Sequence, residues 1–158
     1  MPNYCYNYLI AYHESKLKLE WLENIASNEK LCETIIPIEK DEDAWDLWGC
    51  KWDITYKECN FDTKGNLCIS FDTPWNPPKK VINKLISMGF KCQLFYYEPG
   101  CNFAGILTDD NDIYINSLPD NKDELYEIVP KKLIYLFGID LDIENLSDSD
   151  EDDNDIVE

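Results

Sequence analysis

Histidine is almost missing from this chain: His13 stands alone among 158 residues. Nucleophilic catalysis by a cysteine–histidine pair therefore has one possible base. The seven cysteines (5, 32, 50, 59, 68, 92 and 101) include no C-x-x-C pair. That argues against a zinc ribbon or a thioredoxin-type redox motif, although scattered thiolates remain compatible with spacing alone. No metal or cofactor is expected. The N-terminus has no basic segment followed by an apolar run, which argues against a signal peptide. No stretch approaches the roughly 18 apolar residues that a membrane helix needs. An odd number of cysteines without a secretion signal reads as reduced thiols in a cytoplasmic setting. Arginine is absent and alanine is scarce, while Asn, Ile, Lys and Asp are abundant.

Positive charge is also in short supply. Thirty-two acidic residues face 14 basic ones, for a net charge of −18. Ten of the acidic residues and none of the basic ones lie from Asp140 to Glu158. Removing them leaves 22 acidic and 14 basic residues, so residues 1–139 carry −8. Such a surface repels phosphate backbones, so direct nucleic-acid binding is disfavoured and a basic protein partner is favoured. The segment 140–158 has few large apolar residues and is expected to be disordered. It contains Ser147 and Ser149, each with an acidic residue three positions on, as acidophilic kinases require; phosphate would deepen the charge.

Hydrophobic periodicity organises the rest. Asn3 to Tyr12 alternates as a strand, and Glu14 to Ser27 carries Leu17, Trp21, Leu22 and Ile25 at helical spacing. Ile35 to Ile38 reads as a short extended piece, and Asp41 to Trp48 as one or two helical turns. Lys51 to Phe61 and Gly65 to Phe71 read as strands joined by a turn at Asp62–Gly65. Asn76 to Met88 is a helix with Asn76 as cap and Val81, Ile82, Leu85 and Ile86 as its stripe. Phe90 to Tyr97 is a strand, and residues 102–107 and 112–116 form a hairpin. The order strand, helix, strand, strand, helix, strand is the split βαβ arrangement of ferredoxin-like domains. The reading is thus an α+β, ferredoxin-like antiparallel sheet over residues 1–118, with two helices on one face. A helical extension follows at 119–139, carrying Leu125, Ile128 and Val129 and, after Pro130, Leu133, Ile134 and Phe137. It is expected to cover the other sheet face, where Tyr4, Tyr6 and Tyr8 could otherwise present rings to RNA.

Four separated segments carry a resemblance. They are Met1-Pro2-Asn3-Tyr4-Cys5-Tyr6-Asn7, Trp48-Gly49-Cys50-Lys51-Trp52-Asp53, Thr73-Pro74-Trp75-Asn76-Pro77-Pro78, and the run from Tyr96 to Gly105 containing Glu98-Pro99-Gly100. In this order they resemble the ferredoxin-like domain of YubB-type proteins, carried by plasmids and phages with relatives in large DNA viruses. The resemblance covers most of the first 108 residues. It implies the fold and no activity. The composition suits an AT-rich genome such as that of a large DNA virus.

The candidate sites follow from these segments. Trp45, Trp48 and Trp52 fall within eight residues, and buried indoles usually serve packing. As a partner-binding surface the cluster would use Trp48, Lys51, Trp52, Trp75, Tyr97 and Phe103. Glu98 is the most site-like carboxylate; as a general base it would need a second group, for which Asp53 and Asp72 are available. The alternative for Glu98 is a strand end bent by Pro-Gly. The function expected is a non-catalytic protein-binding role in the cytoplasm of a host cell, with the virion or nucleus as other locations. Tryptophan-rich loops and the acidic tail would engage a basic partner, such as a histone-like, nucleic-acid-binding or ribosomal protein. The alternatives are a small hydrolase or nucleic-acid-processing enzyme using Glu98 and Asp53, and a nucleic-acid mimic.

Overall fold

A computed structural model describes residues 2–151. The chain runs β1 (Tyr4–Tyr12), α1 (Lys16–Ser27), α2 (Leu31–Ile35), α3 (Ala44–Trp48), β2 (Thr55–Phe61) and β3 (Leu67–Pro74). It continues through α4 (Lys79–Ser87), β4 (Lys91–Glu98), β5 (Phe103–Thr108), β6 (Asp112–Asn116), α5 (Lys122–Ile128), α6 (Lys131–Phe137) and α7 (Ile139–Glu151). All strand pairings are antiparallel, in the order β2-β3-β1-β4-β5-β6. The four strands β2-β3-β1-β4 with the crossovers through α1 and α4 make the ferredoxin-like unit. The β5–β6 hairpin widens the sheet beyond β4.

Strand alternation separates two cores. On one face, Cys5, Leu9 and Ala11 of β1 lie with Leu22 of α1 and Val81, Ile82 and Leu85 of α4. On the other, Phe95, Tyr97 and Ala104 lie with Leu118, Leu125, Val129, Leu133, Ile134 and Ile139. The segment after Pro119 thus covers the second face around Tyr8, Ile10, Phe95 and Tyr97 and gives a helix–sheet–helix sandwich, but Tyr4 and Tyr6 stay exposed at the end of β1, and Ile128 of the expected apolar set faces outward.

Local chemistry sets the boundaries. Ser15 accepts from the Lys18 N–H at the start of α1, and Asn121 accepts from the N–H groups of Asp123 and Glu124 at the start of α5. The predicted cap at Asn76 is not formed. Pro78 holds the position before α4, and the Asn76 carbonyl accepts from the Thr73 hydroxyl (2.7 Å). The expected extended piece at Ile35–Ile38 is partly helix α2, because the Asp53 carboxylate accepts from the N–H groups of Cys32 and Glu33 (3.0 and 2.9 Å). The strand expected from Lys51 begins at Thr55.

The predicted disorder from residue 140 does not hold for Asp140 to Glu151, which form α7. Ile139 is buried, and Ile143 packs beside it. The Tyr97 hydroxyl donates to Asp142 (2.9 Å), Tyr126 donates to Asp140 (2.6 Å), and Lys122 pairs with Glu144. These contacts outweigh the poor composition of the helix. The side chains of Ser147 and Ser149, and all of residues 152–158, lie outside the described residues.

Candidate binding site

The tryptophan surface is built by two tight connections. At the first, Asp43 accepts from the Trp45 N–H (2.7 Å) and starts α3. Gly49, at φ +88°, ends it after five residues, a conformation glycine adopts without steric penalty. The short helix turns Trp48 inward, where it is 5% exposed and its indole N–H donates to the Ile36 carbonyl (2.8 Å). Trp45 is turned outward and Trp52 follows on the exposed loop; they are 37% and 39% exposed.

The second connection joins β3 to α4. Trp75 sits at φ +60°, with its N–H donating to the Asn3 carbonyl (2.8 Å). The Asn76 N–H reaches back to the Pro74 carbonyl (2.7 Å), closing a three-residue turn around Trp75. A bulky residue in this region of φ is strained, and such strain gathers where side chains must be aimed for function. The turn is braced from below: Asn7 donates to Thr73 (2.9 Å), both buried.

These turns bring the rings together. Trp45 and Trp75 stack with centroids 6.1 Å apart and planes at 29°, and Trp52 meets Trp75 edge-on at 6.1 Å and 63°. The Lys51 ammonium lies 5.2 Å from the Trp75 ring and 5.9 Å from the Trp52 ring, within cation–π range. Trp45, Lys51, Trp75, Asn76, Cys101 and Phe103 line a recess of about 450 Å³. A second recess of about 280 Å³ adjoins it, sharing Asn76 and Phe103 and adding Lys79, Lys80, Tyr96 and Tyr114.

Of the residues selected from sequence, Lys51, Trp52, Trp75 and Phe103 meet here. Trp48 does not: it is core, lying beneath the surface it was expected to form. Tyr97 does not either. It lies on the opposite sheet face against Phe137, with ring centroids 6.0 Å apart. Burial, with the adjacent Asp142 carboxylate, pushes its hydroxyl well above the ordinary range. Trp45, Lys79, Lys80 and Tyr114 complete the surface and were not selected. A signal for the lysines was available: they open α4, where the helix dipole favours acidic side chains.

Two of the three candidate carboxylates, Glu98 and Asp53, are held by backbone amides. Glu98 is fully buried and accepts from the N–H groups of Gly100 and Cys101, both at 2.7 Å. It organises the turn between β4 and β5. Asp53 accepts from Cys32 and Glu33 and from its neighbour Ile54 (2.8 Å). Asp72 pairs with Lys57 (3.3 Å), and its carboxyl is raised by desolvation against the opposing pull of that lysine. His13 accepts from the Ser15 N–H (2.9 Å) and lies on Phe90 (4.9 Å). The Cys50 thiol is buried and donates to the Trp52 carbonyl (3.3 Å), whereas Cys101 is exposed. Among the described residues, no group of three or more His, Cys, Asp or Glu side chains is arranged to hold a metal ion. No helix among them is long and apolar enough to cross a membrane.

The sheet order, its crossovers and the tryptophan-bearing connections define a ferredoxin-like α+β protein. The chain belongs to the family described as "Ferredoxin-like domain in Api92-like protein", whose model matches residues 51–137. It is also similar to the uncharacterized protein YubB of Escherichia coli strain K12, with 30% identity over 99 residues, covering 55% of this chain and 68% of that protein. No solved structure matches. The family match runs through α5 and α6, past the point near residue 108 where the resemblance read from the sequence ends.

Proposed function

We propose that this chain is a non-catalytic binding protein whose contact surface is formed by Trp45, Trp52 and Trp75 with Lys51 and Phe103. One observation carries the reading: Trp75 meets both Trp45 and Trp52 at the surface, and these two are more than a third exposed. Exposed rings add little to folding, whereas aromatic anchors dominate binding energy at interfaces. The strained turn under Trp75 supports the same reading, because backbone in an unfavourable conformation is kept for the side chain it aims.

The acidic segment from Asp140 onward is the second element. Its ten acidic residues favour association with a basic protein of the histone-like, nucleic-acid-binding or ribosomal kind, and speed the encounter. The enzymatic alternative has less support, since both oxygens of Glu98 and of Asp53 accept from backbone N–H groups. The Asn-, Ile-, Lys- and Asp-rich composition supports a viral or mobile-element origin and action inside a host cell.

The test is calorimetric titration of the full chain with a basic partner such as a histone-like protein. Two variants are compared: Trp45→Ala with Trp52→Ala, and a tail in which Asp148, Asp150 and Glu151 become Asn, Asn and Gln. Loss of about tenfold or more in affinity in the tryptophan variant is expected. The tail variant should bind more slowly and depend less on salt. Unchanged affinity in the tryptophan variant would remove this surface from the reading.

A further inference from the structure

The two edges of the sheet are guarded differently. β2 closes one side. Its pairing with β3 shifts between Tyr56 and Glu58, Lys57 falls in the shift, and the Tyr56 N–H donates to the Glu29 carboxylate (3.3 Å). A bulge, a lysine and an occupied amide keep a further strand from adding to an edge. β6 closes the other side and has none of them. Asp112 to Asn116 contains no lysine and no proline, and its register against β5 is unbroken.

The hairpin sets the direction of the β6 backbone groups. The Thr108 N–H donates to the Asn111 carbonyl (2.8 Å), which makes these two a hydrogen-bonded pair. Antiparallel strands alternate bonded with non-bonded pairs. Ile113 opposite Ile106 and Ile115 opposite Ala104 therefore turn their N–H and C=O groups to β5. Asp112, Tyr114 and Asn116 turn theirs away from the sheet. Among the described residues, nothing accepts from these three amides or donates to these three carbonyls. The side chains beside them are also open, with Ile113 37% and Tyr114 53% exposed. Tyr114 rests on Phe103, ring centroids 5.5 Å apart, and Phe103 lines both recesses of the tryptophan surface. The edge thus continues that surface.

Charge selects the occupant. The thirty residues from Cys92 to Asn121 include five acidic residues and no basic one. Asp109 and Asp110 stand exposed in the turn before β6, and Asp120 stands exposed just after it. Lys79, which lies over the Tyr114 ring, is already paired with Asp112 (3.1 Å). A second copy laid antiparallel on β6 would bring its own Asp109 and Asp110 toward Asp120, and a body of −8 against another of −8. A basic segment would instead meet carboxylates at both ends of the strand.

We propose that β6 is the docking edge for an extended basic segment of the protein partner, which adds to the sheet as a seventh strand, antiparallel like the other six. Apolar residues of the segment lie against Ile113 and Ile115. The lysines or arginines that alternate with them lie beside Asp112, Tyr114 and Asn116, where the Tyr114 ring offers a face to a cation. This rests on the reading above that the chain binds a basic protein, and states how the partner's backbone is held. Main-chain bonds give the segment its hold, and the alternation of apolar and basic residues gives it specificity.

The experiment is titration of the isotope-labelled full chain with the acetylated, amidated heptapeptide Lys-Val-Arg-Val-Lys-Val-Arg, followed by nuclear magnetic resonance and amide hydrogen exchange. The comparisons are the same peptide N-methylated at its inner arginine and inner lysine, which keeps the charge and removes two strand donors, and the peptide with every basic residue replaced by glutamate. Saturable binding of the first peptide below millimolar concentration is expected. At saturation the amides of Asp112, Tyr114 and Asn116 should exchange about tenfold more slowly or better, whereas those of Ile113 and Ile115 are slow before any peptide is added. N-methylation should weaken binding about tenfold, and the acidic peptide should not bind. Tyr114→Pro removes an outward N–H that the sheet does not use, so the fold should stand, as far-UV dichroism would show, and affinity should fall about tenfold. Tyr114→Ala keeps the amide and should lose less.

Equal binding of the N-methylated peptide, or unchanged exchange at the three outward amides, would overturn the proposal. So would a dimer of the chain alone, seen by sedimentation, that Tyr114→Pro abolishes, because the edge would then belong to a second copy. If a histone-like protein still required Trp45 and Trp52 while the peptide left the β6 amides untouched, the edge would fall and the tryptophan surface would stand. Protection of those amides by the peptide, in a chain whose tryptophan variant binds the basic protein unchanged, would keep the edge and remove the tryptophan surface.

Discussion

Trp45 and Trp75 stack at 6.1 Å although they are far apart in the chain, one on α3 and the other in the connection entering α4. Trp48, three residues from Trp45, is buried with its N–H satisfied by Ile36. One short helix therefore divides its indoles between two tasks, and substitution should separate them.

Trp48→Ala removes a buried ring and is expected to destabilise the chain by about 3–5 kcal/mol. Trp75→Gly removes a partly exposed ring and at the same time relieves a positive φ. The two effects oppose each other, so stability should change by less than about 1 kcal/mol. Urea unfolding followed by far-UV dichroism gives both values. A Trp75→Gly loss as large as that of Trp48→Ala would make Trp75 a core residue.

Glu98 should behave as a turn organiser. Glu98→Ala leaves the Gly100 and Cys101 amides without their acceptor and is expected to lower stability by about 2–3 kcal/mol. Glu98→Gln keeps one acceptor oxygen and should lose about half as much. Equilibrium denaturation of the three chains checks the order.

Cys101 is the exposed cysteine, and its thiol is raised above the usual 9.0, first by its hydrogen bond to the Glu98 carboxylate and then by that group's charge. In the native chain it should be the first thiol to react with a disulfide reagent. Its rate should still be climbing at pH 9, where an ordinary thiol is half ionised. Glu98→Gln should speed the reaction at pH 8. Half-buried Cys59, raised to about 11, should react slowly in the native chain, and buried Cys92, raised to about 12, only as the chain opens, both shifts arising chiefly from burial. Timed alkylation with mass mapping distinguishes the sites.

The attachment of α7 has an acid limit. The hydrogen bond from Tyr126 holds the Asp140 carboxyl below its usual 3.8. A carboxyl lowered in the folded state contributes stability above its unfolded value and loses it as pH falls through the native one. Denaturation midpoints of the parent and Tyr126→Phe should therefore differ by a constant amount above pH about 4 and converge below it. A gap that persists at pH 2 would assign the effect of Tyr126 to packing.

Much of the framework was legible because periodicity alone determines it. The alternation from Asn3 to Tyr12 reads as a strand, with Cys5, Asn7, Leu9 and Ala11 on its fully buried face, and Val81, Ile82 and Leu85 as one stripe of a helix. Leu125, Val129, Leu133 and Ile134 likewise announced an apolar face needing a sheet. The site was less legible because its geometry depends on contacts distant in sequence. Which of Trp45 and Trp48 faces water is decided by the Ile36 carbonyl. The role of Asp53 is decided by amides about twenty residues earlier. Tyr96 and Tyr97 must point to opposite faces, but the helices that cover each face come from widely separated parts of the chain. The helix at Asp140–Glu151 was masked by its charge, since Ile139, Asp142 and Ile143 matter only once Tyr97 and the α5–α6 surface are in position.

The second apolar face of the sheet is closed by chain that follows it, and this orders events during translation. While the ribosome is still making the segment beyond Pro119, Phe95, Tyr97 and Ala104 have no cover. At ordinary elongation rates that interval lasts on the order of seconds. A nascent chain stalled there would offer chaperones, or another nascent copy, an apolar sheet surface that the finished protein never displays.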